Sequence, residues 1–438
     1  MTWWVALSAG VGLLLIFLAI GVPIFVSFLL LNVVGVLVFM GPAAFGLFAA
    51  SIFTTANTSA LAAVPLFILM GDILFRSGAM EVLFDSLDRL VGRIRGRQYV
   101  LCILLSAILG ALSGAAMAVA GMLGRSLFPS MIRRGYDTRL SVGTILGGAS
   151  LDPIIPPSVL AIIIATLAQV STGKMLIAGI LPGILLTGMF LIYVLIVVWY
   201  KPSLAPDISA DLSDRNIRGS VIGAILRMLP CAFIFFLVMG LVLLGIATPT
   251  EAAATGVFGA IVLALFYRRF SWQMLMEAFR AAVTVSALLL LVMSCAVMFS
   301  QLLTFAGAPR ALAQIITELD LPAAVMIFAM LALPFVLFMF LDQIALMLVL
   351  VPIYMPILKT YGVDEIWFWT LFLVVATVGG ISPPFGYTLF AMKTAAPEVP
   401  MSTIYSAAWP FVWIIVLGMF VMALYPPIVT FLPNLANP

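Results

Sequence analysis

Apolar runs fill most of this chain, and the informative positions are those that interrupt them. Trp3–Ile20 and Val22–Met40 read as two spans joined at Gly21-Val22-Pro23. Leu61–Phe75 reads as a third, with a short helix from Ala43 before it. Across Glu81–Gln98 the pattern changes: Val82, Leu83, Leu87, Leu90 and Val91 fall on one helical face among charged residues. That predicts an amphipathic helix lying at a membrane interface. Tyr99–Pro129 is apolar again but carries Ser113-Gly114 near its middle. At about 1.5 Å per residue each arm is too short to cross comfortably, which predicts a re-entrant hairpin. Leu140–Gln169 is an apolar run broken in its middle, Leu176–Trp199 is a clean span, and Tyr200–Arg227 is a polar linker.

The order then recurs. Leu229–Ile246, Ala252–Tyr267 and Ala281–Phe305 read as spans, and Pro309–Asp320 as a second amphipathic helix. Leu321–Pro356 reads as a hairpin with Asp342 at its tip, Trp367–Met392 as a second broken helix, and Tyr405–Tyr425 as the last span. Asp137 and Asp364, Pro129 and Pro356, and Pro156-Pro157 and Pro383-Pro384 are each 227 positions apart. Pro23 and Pro249 differ by 226, and Gly78 and Gly307 by 229. Anchors this close to one offset predict an internal repeat.

The two breaks, GGASLDPIIPPS at Gly147–Ser158 and GGISPPFG at Gly379–Gly386, have a physical consequence. Proline has no N–H, so the carbonyl four residues earlier loses its helical partner. The carbonyls freed are those of Ala149, Asp152 and Pro153 in the first half, and of Gly379 and Gly380 in the second. Beyond each break a new helix begins, with bare N–H groups expected at Ser158–Leu160 and Phe385–Tyr387. Bare carbonyls suit a cation and bare N–H groups suit an anion. Both motifs are expected to be non-helical throughout and to face one cavity near the membrane midplane. Paired broken helices in corresponding halves point to a transporter's binding site.

Composition narrows the class. Of 438 residues, 65% are hydrophobic and 8% charged, which excludes an ordinary soluble domain. A net charge of +3 argues against a nucleic-acid partner. There is no histidine, so no His-based triad or metal site can form. Cys102, Cys231 and Cys295 lie far apart in apolar runs and read as packing residues. With Glu81–Gln98 placed inside, 17 of the 20 Lys and Arg residues are cytoplasmic, and only Lys174, Arg310 and Lys359 are outside. That positive-inside bias puts both termini in the periplasm and inverts the second half relative to the first.

Four acids lie near or within apolar segments, where charge is costly and functional by default. Asp342 reads as a cation ligand, with a structural hydrogen bond as its alternative; Asp152 is open between the two. Asp72 is one turn from Arg76 and reads as half of a local ion pair. Glu251 follows Thr248 by three and reads as the far side of a capping box.

GALSGAAMAVAGMLG, MIRRGYD, the IIPPS break, TPTEAAATG and the SPPFGYTLF break resemble, in order, the large membrane subunit of tripartite ATP-independent periplasmic (TRAP) transporters. The resemblance implies an all-α polytopic membrane protein of two inverted repeats, each with a re-entrant hairpin and a broken helix. It further implies an elevator-type secondary transporter of the bacterial inner membrane. On that pattern, 1–98 holds scaffold spans and the first arm helix. Residues 99–175 hold transport hairpin one and broken helix one, and 176–320 hold scaffold spans, linker and second arm. Residues 321–400 hold hairpin two and broken helix two, and 401–438 the final span. The implied partners are a small four-helix membrane subunit as a separate chain, a periplasmic substrate-binding protein, the lipid bilayer and a small organic acid. The implied coupling ion is sodium (Na+), with no organic cofactor. Carried over, the sodium sites fall on Ser113 and Gly114 with Ala149, Asp152 and Pro153, and on Asp342 with Thr377, Gly379, Gly380 and Ser382. Substrate contacts fall on Ser113, Pro157 and Ser158, and on Pro384, Phe385, Gly386 and Thr388. The chain departs from the family pattern at Ala115 (usually Ser), Asp152-Pro153 (usually Gly and an apolar residue), Asp72 and Thr388 (usually Asn) and Thr377 (usually Glu).

Two other readings stand beside this one. A stand-alone sodium- or proton-coupled organic-anion carrier of the same superfamily would need no binding protein. An intramembrane enzyme would need a Ser/Lys or paired-Asp arrangement on neighbouring spans, and none is visible. A channel would need a repeating pore-lining ring, which is also missing.

Overall fold

In an apolar surrounding a backbone must satisfy its own polar groups, and this chain does so as helices. The computed structural model describes residues 3–92, 94–113, 116–206, 221–319 and 321–436, and no strand occurs among them. Arg93, Gly114, Ala115, Asp320 and half of the expected polar linker, residues 207–220, lie outside the described residues. The first half runs α1 (Trp3–Ala19), α2 (Ile24–Gly35), α3 (Gly46–Ala56), α4 (Ala63–Arg76), α5 (Ala79–Leu90), α6 (Arg97–Ser113), α7 (Ala116–Ser126), α8 (Phe128–Arg133), α9 (Thr138–Ala149), α10 (Val159–Leu167), α11 (Thr172–Ala178) and α12 (Ile180–Tyr200). The second runs α13 (Val221–Leu243), α14 (Pro249–Phe266), α15 (Trp272–Phe305), α16 (Ala308–Glu318), α17 (Ala323–Leu337), α18 (Gln343–Tyr361), α19 (Glu365–Ile381), α20 (Tyr387–Ala395), α21 (Met401–Leu424) and α22 (Pro427–Leu435). Among the described residues, seven helical stretches are long and apolar enough to cross a membrane.

Several boundaries differ from the sequence expectation. The amphipathic helix expected over Glu81–Gln98 ends at Leu90, because Gly92 and Gly96 both take positive φ. Arg97 and Gln98 belong instead to α6. Arg97 and Asp88 are buried, and their side chains meet at 2.8 Å, tying the end of the arm helix to the start of the hairpin. The linker expected to reach Arg227 gives way to helix by Val221. The first two apolar helices, Trp3–Ala19 and Ile24–Met40, fall just short of a full crossing length. In the second hairpin α18 continues past Pro356 to Tyr361, which makes it long enough to cross alone. The terminal α22 was not expected.

The packing of the two halves is reciprocal. Within each half the first hairpin arm lies on the first segment of the broken helix, α6 on α9 and α17 on α19. Between halves the second arm lies on the other half's second segment, α7 on α20 and α18 on α10. The outer helices repeat the scheme, with α4 on α14 matched by α15 on α2, and α5 on α13 matched by α16 on α1. Asp72 and Arg76 form the expected i,i+4 ion pair at 2.8 Å, and Arg76 also reaches Glu277. Thr248 and Glu251 form the expected capping box. All three cysteines are free and buried.

Candidate functional site

Each break is shorter than its motif. Helix α9 carries Gly147–Ala149 before the chain turns, and α19 carries Gly379–Ile381. The non-helical residues are 150–158 in the first half and 382–386 in the second. Pro156-Pro157 and Pro383-Pro384 are both cis.

Most of the carbonyls released by the prolines have found donors. Ser158 Oγ donates to the Pro153 carbonyl at 2.5 Å while accepting the Ala161 N–H as the cap of α10. Thr388 Oγ1 donates to the Gly380 carbonyl at 2.6 Å. The Ala149 carbonyl accepts a long bond of 3.4 Å from the Asp152 N–H. Thr377 and Ser382 turn their hydroxyls back onto α19, to Leu373 and Val378. Three of the five expected carbonyls are thus engaged, two by hydroxyls that replace the missing N–H and one by a backbone N–H. The bare N–H groups are also fewer than expected. Gly386 N–H is taken by the Ser382 carbonyl at 2.9 Å, which narrows the expected donors there to Phe385 and Tyr387. Pro384 keeps its carbonyl bonded by the Tyr405 hydroxyl at 3.1 Å. Pro157 and Ser158 are buried, whereas Phe385 is well exposed.

The two acids sit differently. Asp342 is exposed and caps α18, its Oδ1 accepting the Ala345 N–H at 3.1 Å. The structural hydrogen bond therefore exists, and the residue as a whole is exposed. Asp152 is only 6% exposed. Its carboxylate lies against the backbone N–H of Ala116, the first residue of α7, and Oδ1 is buried without a partner among the described residues. Close approach makes these contacts possible. A Cβ on Gly110 would come within 3.1 Å of the Asp152 Cα, and one on Gly379 within 2.4 Å of the Phe338 Cβ. Each hairpin therefore lies directly on its own break. Ser113 ends α6 beside the first break, and its neighbour Gly114 lies outside the described residues.

Two side chains join this site that sequence reasoning passed over, those of Gln343 and Tyr387. Gln343, buried next to Asp342, donates through its amide to the Ala376 carbonyl on α19 and accepts the Tyr387 hydroxyl at 3.3 Å. It links the second hairpin to both segments of the second broken helix. Tyr387 also lies within electrostatic reach of both Asp152 and Asp342. The available signal was a polar residue directly inside an apolar hairpin, and a tyrosine directly after the second break.

A sequence profile described as "Tripartite ATP-independent periplasmic transporter, DctM component" matches residues 11–428. The chain belongs to this family. It is therefore a multi-pass membrane component of a substrate transporter that works with a periplasmic binding protein, and not an enzyme. It is 28% identical over 388 residues to the C4-dicarboxylate TRAP transporter large permease protein DctM of Pseudomonas aeruginosa, covering 88% of this chain and 89% of that protein. It is 28% identical to the ectoine TRAP transporter large permease protein TeaC of Halomonas elongata, over 86% of this chain and 87% of that one. Against the 2,3-diketo-L-gulonate TRAP transporter large permease protein YiaN of Escherichia coli identity is 26%, over 86% and 87%. Among solved structures, the Alcanivorax borkumensis YdaH transporter superposes with a TM-score of 0.63 at 17% identity, covering 88% of this chain and 89% of that one. Neisseria gonorrhoeae MtrF superposes at 0.60 and 14%, covering 88% and 84%. These two share the fold.

Proposed function

We propose that this DctM-family chain imports a small organic acid, with sodium as the coupling ion and a periplasmic binding protein as the donor. The observation that carries the reading is the pair of close hairpin-on-broken-helix junctions, Gly110 against Asp152 and Gly379 against Phe338, each with one acid. Exposed Asp342, beside a proline break with few remaining donors, offers hard oxygen ligands of the kind a small monovalent cation takes. Buried Asp152 offers a second carboxylate beside the first break, whose partnerless oxygen would be stabilised by a cation. Remaining N–H groups at Phe385 and Tyr387 then face the substrate's carboxylate. Names of the relatives above, a C4-dicarboxylate and a gulonate among them, favour a carboxylate cargo.

In this reading the halves are inverted repeats, and α6–α10 with α17–α20 form a unit that moves against the remaining helices as an elevator. The arms α5 and α16 brace it. The fixed helices bind the small four-helix subunit, and both termini face the periplasm of the inner membrane. Uptake into proteoliposomes holding this chain and its small subunit tests the proposal. An inward sodium gradient with loaded binding protein should drive accumulation. Equal uptake without sodium would remove the coupling, and equal uptake without the binding protein would favour the stand-alone carrier. Crosslinks from the small subunit to residues near Ser113 would contradict the division into moving and fixed parts.

A further inference from the structure

Of the three basic residues that the charge pattern assigns to the outer face, two line one cavity. Arg310 and Lys359 open onto a space of about 750 Å³ between α3, α10, α15, α16 and α18. That volume falls within the range of small-molecule sites. Hydroxyl and amide side chains, Thr55, Gln169, Ser300 and Gln301 among them, supply much of the remaining lining, and no acid contributes. Neither Arg310 nor Lys359 forms an ion pair among the described residues, and both are exposed. Thr55 Oγ1 is buried in this wall with no hydrogen-bond partner among the described residues. A polar, acid-free cavity with two uncompensated cations is a site for an anion, not for an acyl chain.

Its position gives the anion a route. One wall is the far end of α10, whose near end is the first break, and another is the far part of α18, whose near end is Asp342. At 1.5 Å per residue the cavity lies roughly 12–17 Å from Ser158 along α10 and roughly 15–26 Å from Asp342 along α18. We infer that this cavity is a vestibule that draws a small carboxylate from the outer face toward the breaks, with Arg310 and Lys359 as its attracting charges. The inference rests on the proposed import of an organic acid. Cations in a walled cleft raise the local concentration of an anion by about 10- to 1,000-fold.

The native cysteines are buried, so a cysteine placed at exposed Thr304, on the cavity wall, reports the local potential. In the two-subunit complex in phosphatidylcholine vesicles, a sulfonate-bearing methanethiosulfonate should modify Thr304→Cys about ten-fold faster than a trimethylammonium one, relative to their rates with free thiol. Arg310→Gln with Lys359→Gln should bring that ratio within about two-fold, and Arg310→Lys should restore most of it. Each single Gln variant should fall between, which guards against misfolding of the double variant. A ratio near one in the parent, or one untouched by both substitutions, overturns the vestibule. So does a ratio abolished by adding phosphatidylglycerol, which would assign the cavity to lipid headgroups. Charge preference without sodium-driven uptake would defeat the import reading and leave the anion site standing. Uptake without charge preference would do the reverse.

Discussion

The first half carries its acid on the break, and the second half carries it on the hairpin. Shifted by 227, Asp152 falls on Gly379 and Ala115 falls on Asp342. A glycine makes room at each junction. Gly110 gives room to Asp152 in one half, and Gly379 gives room to Phe338 in the other. The consequence is two junctions of the same topology with opposite exposure. Asp342 caps its own helix and stays exposed, whereas Asp152 reaches from the break to the first N–H of α7 and is buried. Ala115 has no side-chain acceptor with which to cap α7, so the break supplies one from across the junction. Similar packing thus yields an exposed acid in one half and a buried one in the other, and the proposed coupling-ion sites need not share one description.

The largest effect is expected where the carboxylate is accessible. Asp342→Asn keeps the cap on α18 but removes the charge. Half-saturating sodium for uptake should rise about ten-fold, equivalent to ~1.4 kcal/mol, or uptake should stop. Unchanged sodium dependence would assign Asp342 to capping alone. Next comes Gly379→Ala, whose new methyl meets both the Phe338 side chain and its backbone carbonyl. Overpacking of this kind costs about 1–3 kcal/mol, visible as a lowered melting temperature. Gly110→Ala, with its nearest neighbour at 3.1 Å, should lose less. The reverse ranking would show that the first junction is the more rigid.

Asp152→Ala removes the acceptor for α7 and should cost about 1–2 kcal/mol, as a lost cap does. Asp152→Asn should recover most of that stability, since an amide oxygen can still accept from Ala116. If Asn is no better than Ala, the charge matters more than the cap, and an ion at the first junction becomes the better account. The smallest effects belong to the hydroxyls that cover the freed carbonyls. Ser158→Ala and Thr388→Val should each cost about 1 kcal/mol by losing one buried hydrogen bond. A loss above twice that value in only one of them would show that the two breaks depend unequally on this substitute donor.

Element order could be read from the chain because each span, hairpin and break is long, and because the prolines recur at one offset. The ends of the breaks were less legible. Gly147-Gly148 and Gly379-Gly380 look like interruptions, yet both pairs are helical. A glycine costs a helix roughly 0.5–1 kcal/mol relative to alanine, and at Gly379 the close approach of Phe338 offsets that cost. Beyond the last expected span, Pro427 is the first residue of α22, where proline's missing N–H is harmless. The candidate site was half visible. Proline spacing identifies which carbonyls lose their partners. It does not identify which side chain comes back to cover them, because Thr388 on Gly380 and Gln343 on Ala376 depend on how segments meet in space.

The reciprocal packing of α7 on α20 and α10 on α18 also imposes a schedule on synthesis. Ser126 ends α7 and Tyr387 begins α20, 261 residues later; Leu167 ends α10 and Gln343 begins α18, 176 residues later. At about 5–20 residues per second, the first hairpin and first break wait roughly 10–50 s for the surfaces that cover them. During that interval a buried acid and a set of proline-released carbonyls must be kept from lipid by other means. Ser158 on Pro153, and Asp152 on the start of α7, are contacts made wholly within the first half. They give the nascent break partners of its own before the second half exists.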